Sequence, residues 1–490
     1  MKEKKIKHPQ WRTSASERRW YFFSQTARYA AQALLPAHMA MFLLFNGIDT
    51  AVVAAITLAV KCIDAVDDMI FGYLVDKIDL KKNTFLAKLG GEGRYMPWIR
   101  CFLLLYPIAT ALFFLMPSQM APMGKVIWFA VTYLLYDLTY TLVDVPVQST
   151  LMTITDVPEE RNHMITVSFV CVTGAMIILS ALQTVLIGED IGMPISHMAL
   201  MFISIYAVCM LPLMFKVKEH NAELKNANAT KDERYTVKDM LAALWSNKPY
   251  LALQVANIVP AMLATGTGIS LFVSFYLYGS ATAMVAPTLV ASVLIVAAQL
   301  VAPALSKRFE NKKVVAVCYS IMFLCGVGMY FAGPSQFAAV VALTLVSSVF
   351  NGLVTMIKGY MSPQCIEYGK YVNGRDTTGI FNAISTFLGK TTSSIATSLG
   401  IFLLGLFGWA SVNAESFADL AAQNVQQTDS ALNGLWVLNT IVPAIGNLIG
   451  LIALRFYKLK DEDVRLMGKC NSGAISREEC EGQLHVRTGK

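Results

Sequence analysis

Apolar runs of about 20 residues or more, each closed by a polar turn, recur along the whole chain. Twelve can be marked off, at roughly 22–46, 51–76, 98–116, 124–150, 164–187, 197–216, 250–279, 284–306, 314–332, 336–361, 379–409 and 431–457. A helix of about 20 apolar residues spans a bilayer's hydrocarbon core. The pattern therefore predicts an all-α membrane protein with twelve transmembrane helices. One long polar stretch, 217–249, interrupts it, with a short interfacial helix expected around Val237–Trp245. That stretch divides the chain into an N-terminal six-helix half over 1–216, a cytoplasmic linker over 217–249, a C-terminal six-helix half over 250–457 and a cytoplasmic tail over 458–490. Two six-helix halves around a central path is an architecture many secondary transporters share.

Composition agrees. The 490 residues are 55% hydrophobic and 15% charged, where soluble domains average about 25% charged. The net charge of +7 matters less than its placement. Residues 1–19 hold seven Lys/Arg against two Glu, the 77–97 loop holds five basic residues, and SKRFENKK (306–313) holds four. The 410–430 loop has Glu415, Asp419 and Asp429 and no Lys or Arg. This bias puts both termini in the cytoplasm and reports membrane orientation rather than nucleic-acid binding. The polar, basic first 19 residues predict no short cleavable signal peptide. Nine cysteines without CxxC, and no HExxH, predict neither a thiol metal site nor a resident cofactor.

Charges inside the spans carry the functional signal. Positions three and four apart share a helix face. Lys61, Asp64 and Asp68 form one such stripe, with Asp67 at its edge. Asp137, Thr141 and Asp144 form another, with Gln148 one turn beyond. Lys390 sits mid-run in the eleventh span, with Thr386 one turn before it. Each ionised side chain facing lipid at mid-bilayer would cost about 2.5–3.5 kcal/mol or more. The five acids and two lysines are therefore expected to face one another and water. They leave three negative charges uncompensated, or two if Arg28 also points inward. Protons, a metal cation or a cationic substrate can make up the difference. Carboxylates and the Thr141 hydroxyl suit a small hard cation.

Other polar residues admit two readings each. Arg28 lines the interior or reaches the cytosolic interface. His38 is a hydrogen-bonded interior histidine or a ligand. Lys358 is expected to reach the interface from the cytosolic end of the tenth span. Gln254, Asn257, Pro260 and the TGTG run at 265–268 mark a bent or opened seventh span or a simple packing contact. An intramembrane aspartyl protease is excluded, because no GxGD motif accompanies Tyr136–Asp137.

Three segments, KCIDAVDDMIFG (61–72), YTLVDVPVQS (140–149) and EYGKYVNGRDTTGIFNAISTFLGK (367–390), together with RYMPW (94–98), carry a resemblance across nearly the whole chain. The sequence resembles the glycoside–pentoside–hexuronide:cation symporter family, the melibiose-permease-like branch of the major facilitator superfamily. That resemblance implies the major facilitator fold, alternating access and solute uptake coupled to Na⁺ or H⁺. It implies a cation site of Asp64, Asp68, Thr141 and Asp144. It implies that Asp144 lies near both cation and sugar and that Lys390 links the two sites; Gln148, Lys61, Asp137, which is extra to the family's pattern, and Thr386 are further candidates for substrate binding or coupling from their own placement. Gln148 stands where the family stacks an aromatic on the sugar ring, so the substrate pocket departs from better-known members. The sequence thus predicts a non-enzymatic cation-coupled transporter of a sugar, glycoside or uronide, monomeric, in the cell membrane. A lysolipid or other amphipathic-solute symporter, or an uncoupled facilitator, are its alternatives.

Overall fold

The computed structural model describes residues 11–77, 80, 93–155, 157–220, 245, 247–373, 378–471 and 475–484, without the side chains of 65–70, 72–77, 386, 390 and several others inside helices. Their regular elements are helices, and the chain falls into two compact units. The first comprises Met1–Asp232 and Ser411–Val425, the second Glu233–Ala410 and Gln426–Lys490. Most of the expected interfacial helix at 237–245 lies outside the described residues.

The first unit is built on α1 (Ala15–Phe45), α2 (Thr50–Lys77), α3 (Met96–Phe102), α4 (Leu105–Phe114), α5 (Pro122–Ile154), α6 (Pro158–Ile187) and α7 (Ile195–Lys216). Local sequence sets the ends. The Ser14 hydroxyl accepts from Glu17 N at 3.1 Å and the Glu17 carboxylate accepts from Ser14 N at 3.4 Å, a capping box that starts α1. The Glu219 carboxylate accepts from Arg94, Tyr95 and Met96 N at 2.8, 2.8 and 2.6 Å, satisfying the free amides at the start of α3. Buried Glu160 accepts from Arg12 N and Thr13 N, at 3.0 and 3.1 Å, and ties the N-terminal segment to the α5–α6 turn. Residues 411–425 pack on this unit through an Asn46–Asn413 bridge and the Phe45–Phe417 ring contact.

The second unit holds α8 (Lys248–Met262), α9 (Ser270–Tyr278), α10 (Val285–Arg308), α11 (Asn311–Ala332), α12 (Phe337–Asn373), α13 (Thr378–Leu406) and α15 (Asp429–Ala453). The short α14 (Phe417–Ala422) lies in the excursion to the first unit, and α16 (Asp461–Asn471) and α17 (Arg477–Gln483) close the chain. The bend expected in the seventh span is present. α8 stops at Met262, a 3₁₀ turn covers Thr265–Gly268, and α9 resumes at Ser270. Pro260 explains part of it. Having no N–H, it leaves the Ala256 carbonyl without its helical donor, and the Tyr319 hydroxyl donates to that carbonyl at 2.5 Å. Backbone freed at membrane depth needs such a partner. Gly400 lets α13 approach the turn: a Cβ there would lie 2.6 Å from Thr265 O.

Among the described residues, eight helices are long and apolar enough to cross a membrane, and two shorter apolar stretches, Thr50–Lys61 and Ile395–Leu406, accompany them. Large apolar side chains such as Phe331 and Leu300 stand outward, 81% and 78% exposed. In a chain this apolar, such surfaces face lipid.

Candidate functional site

In the first unit α1, α2 and α5 each direct one polar stripe inward. α1 contributes Gln25, Arg28 and Gln32, α2 contributes Lys61 and Asp64, and α5 contributes Asp137, Thr141, Asp144 and Gln148. Arg28, Asp64, Asp137, Thr141 and Asp144 are all buried.

Two ion-pair groups form. Lys61 Nζ donates to Asp64 Oδ2 at 3.1 Å and to Asp137 Oδ1 at 2.7 Å. Its ammonium also stands 6.0 Å from the Tyr133 ring centre. Arg28 donates through Nη1 to Asp144 Oδ1 in a short contact and through Nε to Gln25 Oε1 at 3.0 Å. Asp144 is held further by the amides of Gln32, at 3.1 Å, and Gln148, at 2.5 Å. Asp137 and Asp144 lie seven residues apart on one face of α5, so the two groups share that face. Among the described side chains two cations face three carboxylates here, leaving one negative charge if all are ionised. Asp64 Oδ1 is buried without a hydrogen-bond partner. That is an expensive state for a carboxylate oxygen. No cluster of three or more His, Cys, Asp or Glu side chains among the described residues is placed to hold a metal ion.

The structure thus brings together Asp64, Asp137, Asp144, Gln148 and Lys61 with Thr141 in their midst. Arg28 points inward, which decides between its two sequence readings. His38 is an interior hydrogen-bonded histidine, its Nε2 3.0 Å from Gln183 Oε1, while Gln183 donates onward to Tyr206. The side chains of Asp67, Asp68, Thr386 and Lys390 lie outside the described residues.

Sequence reasoning missed two features. Phe129, Tyr133, Tyr136 and Tyr140 stack along α5, ring centres 5.8, 6.1 and 6.4 Å apart. Their spacing of four, three and four residues was the available signal. The second is a cavity of about 960 Å³ within the second unit. Lys358 lines it, rather than reaching the interface as expected, because Tyr319 captures its ammonium at 3.0 Å. Thr344, Ser348, Asn351, Thr355, Lys358 and Ser362, spaced four and three apart on α12, all line this cavity.

The sequence pattern of the MFS/sugar transport protein family matches residues 21–461. The chain belongs to the MFS/sugar transport protein family. Membership makes it a multi-pass membrane transporter of the all-helical major facilitator type and not an enzyme. This family member is 25% identical over 460 residues to the isoprimeverose transporter of Lactiplantibacillus pentosus, covering 92% of this chain and 90% of that protein. It is 24% identical over 431 residues to the inner membrane symporter YicJ of Escherichia coli (strain K12), covering 86% of each. In fold it is similar to a bacterial homolog of the human lysosomal transporter Spinster in an inward-facing, unoccupied conformation. That match has a TM-score of 0.61 and 10% identity, and covers 91% of this chain and 97% of the other.

Proposed function

We propose that this protein is a cation-coupled secondary transporter that takes up a sugar, glycoside or uronide by alternating access. In this reading the chain has twelve spans in two halves, 1–216 and 250–457, with both termini cytoplasmic. Asp64, Asp68, Thr141 and Asp144 bind the coupling cation, Na⁺ or H⁺. Lys61, Asp137, Gln148, Thr386 and Lys390 join Asp144 in substrate binding or coupling. The observation that carries it is the buried Asp64 Oδ1 without a hydrogen-bond partner, in a cluster whose described side chains are one positive charge short. The names of the relatives, an isoprimeverose transporter and a symporter, support the substrate class and the coupling.

The geometry suggests how coupling works. Lys61 is a tethered cation bridging Asp64 and Asp137. A diffusible cation arriving at Asp64 neutralises that carboxylate and weakens its hold on Lys61. The freed ammonium and the Asp144–Gln148 pair then present donors and acceptors to hydroxyl groups. By linkage, solute that binds the rearranged site tightens the cation by the same factor.

Uptake by the purified full-length protein in proteoliposomes, against a panel of sugars and glycosides that includes isoprimeverose, tests this. An imposed Na⁺ or H⁺ gradient should drive accumulation in the wild type. Asp64→Asn should retain counterflow and lose accumulation. Cation-stimulated accumulation undiminished in that variant, or wild-type counterflow indifferent to Na⁺ and pH, would overturn the coupling.

A further inference from the structure

The cavity in the second unit is chemically unlike the charged cluster. Amides, hydroxyls and apolar side chains line it, and of the described residues on its wall Lys358 is the single charged one. The side chains of Asn257, Asn351, Asn439 and Asn447 make no hydrogen bond to other described residues, so their amides are uncommitted. The Lys358 ammonium has three N–H donors. One goes to the Tyr319 hydroxyl at 3.0 Å, and that hydroxyl is fixed in turn by donating to the Ala256 carbonyl which Pro260 leaves free. No carboxylate lies within ion-pair distance of Lys358 among the described residues. An ionised lysine inside a membrane protein is costly unless a counter-charge meets it, and such residues mark substrate paths.

We propose that Lys358 is a specificity-determining residue that selects an anionic sugar, binding its carboxylate or sulfonate while the free asparagine amides bind the hydroxyls. The inference rests on the transport reading above and narrows its substrate class. Tyr319 holds the ammonium at a set height on the wall, so the anion is read by position as well as by charge. The volume of about 960 Å³ admits a glycoside with its hydration water.

The test uses the full-length protein in proteoliposomes with matched probes: a neutral glycoside, its uronic-acid counterpart and its 6-sulfonated counterpart. Counterflow is measured for wild type, Lys358→Gln and Lys358→Arg. A charge-assisted hydrogen bond predicts that wild type favours at least one acidic probe by roughly tenfold to a hundredfold in KM. Lys358→Gln should lose that preference while its KM for the neutral probe stays within about twofold. Lys358→Arg should keep most of it. The probe favoured distinguishes carboxylate from sulfonate. If wild type moves neutral and acidic probes equally, or if Lys358→Gln weakens all three alike, the inference is overturned and the transport reading stands. If wild type moves none of the three, both fall.

Discussion

The polar interior of the first unit and that of the second solve the same problem in opposite ways. In the first, formal charges sit against one another: Arg28 on Asp144, and Lys61 between Asp64 and Asp137. In the second, neutral amides, hydroxyls and apolar side chains surround a cavity with one ammonium and no described counter-ion. Removing one partner of a buried pair strands the other and is strongly destabilising, whereas a group facing a wet cavity can be removed at little cost in stability. In the reading proposed above, the charged cluster carries the cation response and the coupling, and the second unit's wall adds solute contacts to those of Asp144 and Gln148.

The sharpest break of that contrast is at Arg28, whose side chain is 2% exposed. Arg28→Met should destabilise by about 3–5 kcal/mol, read as a large fall in the apparent Tm of the purified protein. Adding Asp144→Leu should recover part of that loss and leave no transport. An unshifted melt in the single variant would show that the pair carries no stability. Lys61, 17% exposed in its side chain, should cost less. Lys61→Met is expected to lose about 2–3 kcal/mol, from two charge-assisted bonds. In the second unit Asn351→Ala should leave the Tm within the equivalent of about 0.5 kcal/mol. Its KM for a transported sugar should rise a few-fold, for one lost hydrogen bond. A Tm loss as large as that of Arg28→Met would erase the distinction between the two interiors. The smallest effect belongs to the exposed Glu310–Lys313 pair, 3.0 Å apart: Lys313→Ala should move stability by at most about 0.5 kcal/mol.

How legible all this was in the sequence follows the same divide. Charges inside apolar runs are conspicuous, and their three-and-four spacing was enough to place Asp64, Asp137, Thr141 and Asp144 on inward faces. Pro260 and the TGTG run likewise announced the broken helix. What the sequence could not display was pairing. Arg28 and Asp144 are 116 positions apart, and which cation meets which acid depends on how α1 lies against α5. Lys358 was misread for a related reason. Near the end of an apolar run a lysine normally extends to water, but α12 continues to Asn373 and the Tyr319 hydroxyl on α11 receives the Lys358 ammonium inside the unit. The serines, threonines and asparagine of the α12 stripe escaped notice because small polar residues are ordinary in membrane helices, where they also serve as packing surface.

Residues 411–425 belong to the first unit although the chain on both sides of them belongs to the second. The polypeptide therefore passes between the units three times, at 232–233, 410–411 and 425–426. A gene divided in the linker would yield two fragments of unequal completeness. The upstream fragment would lack the bridge partner of Asn46 and the ring that packs on Phe45, while the downstream one would carry both as an excursion without a home. Reassembly of a split version should accordingly depend on that short stretch, and a version divided in the linker with 411–425 replaced by a plain spacer should associate less well than one that keeps it.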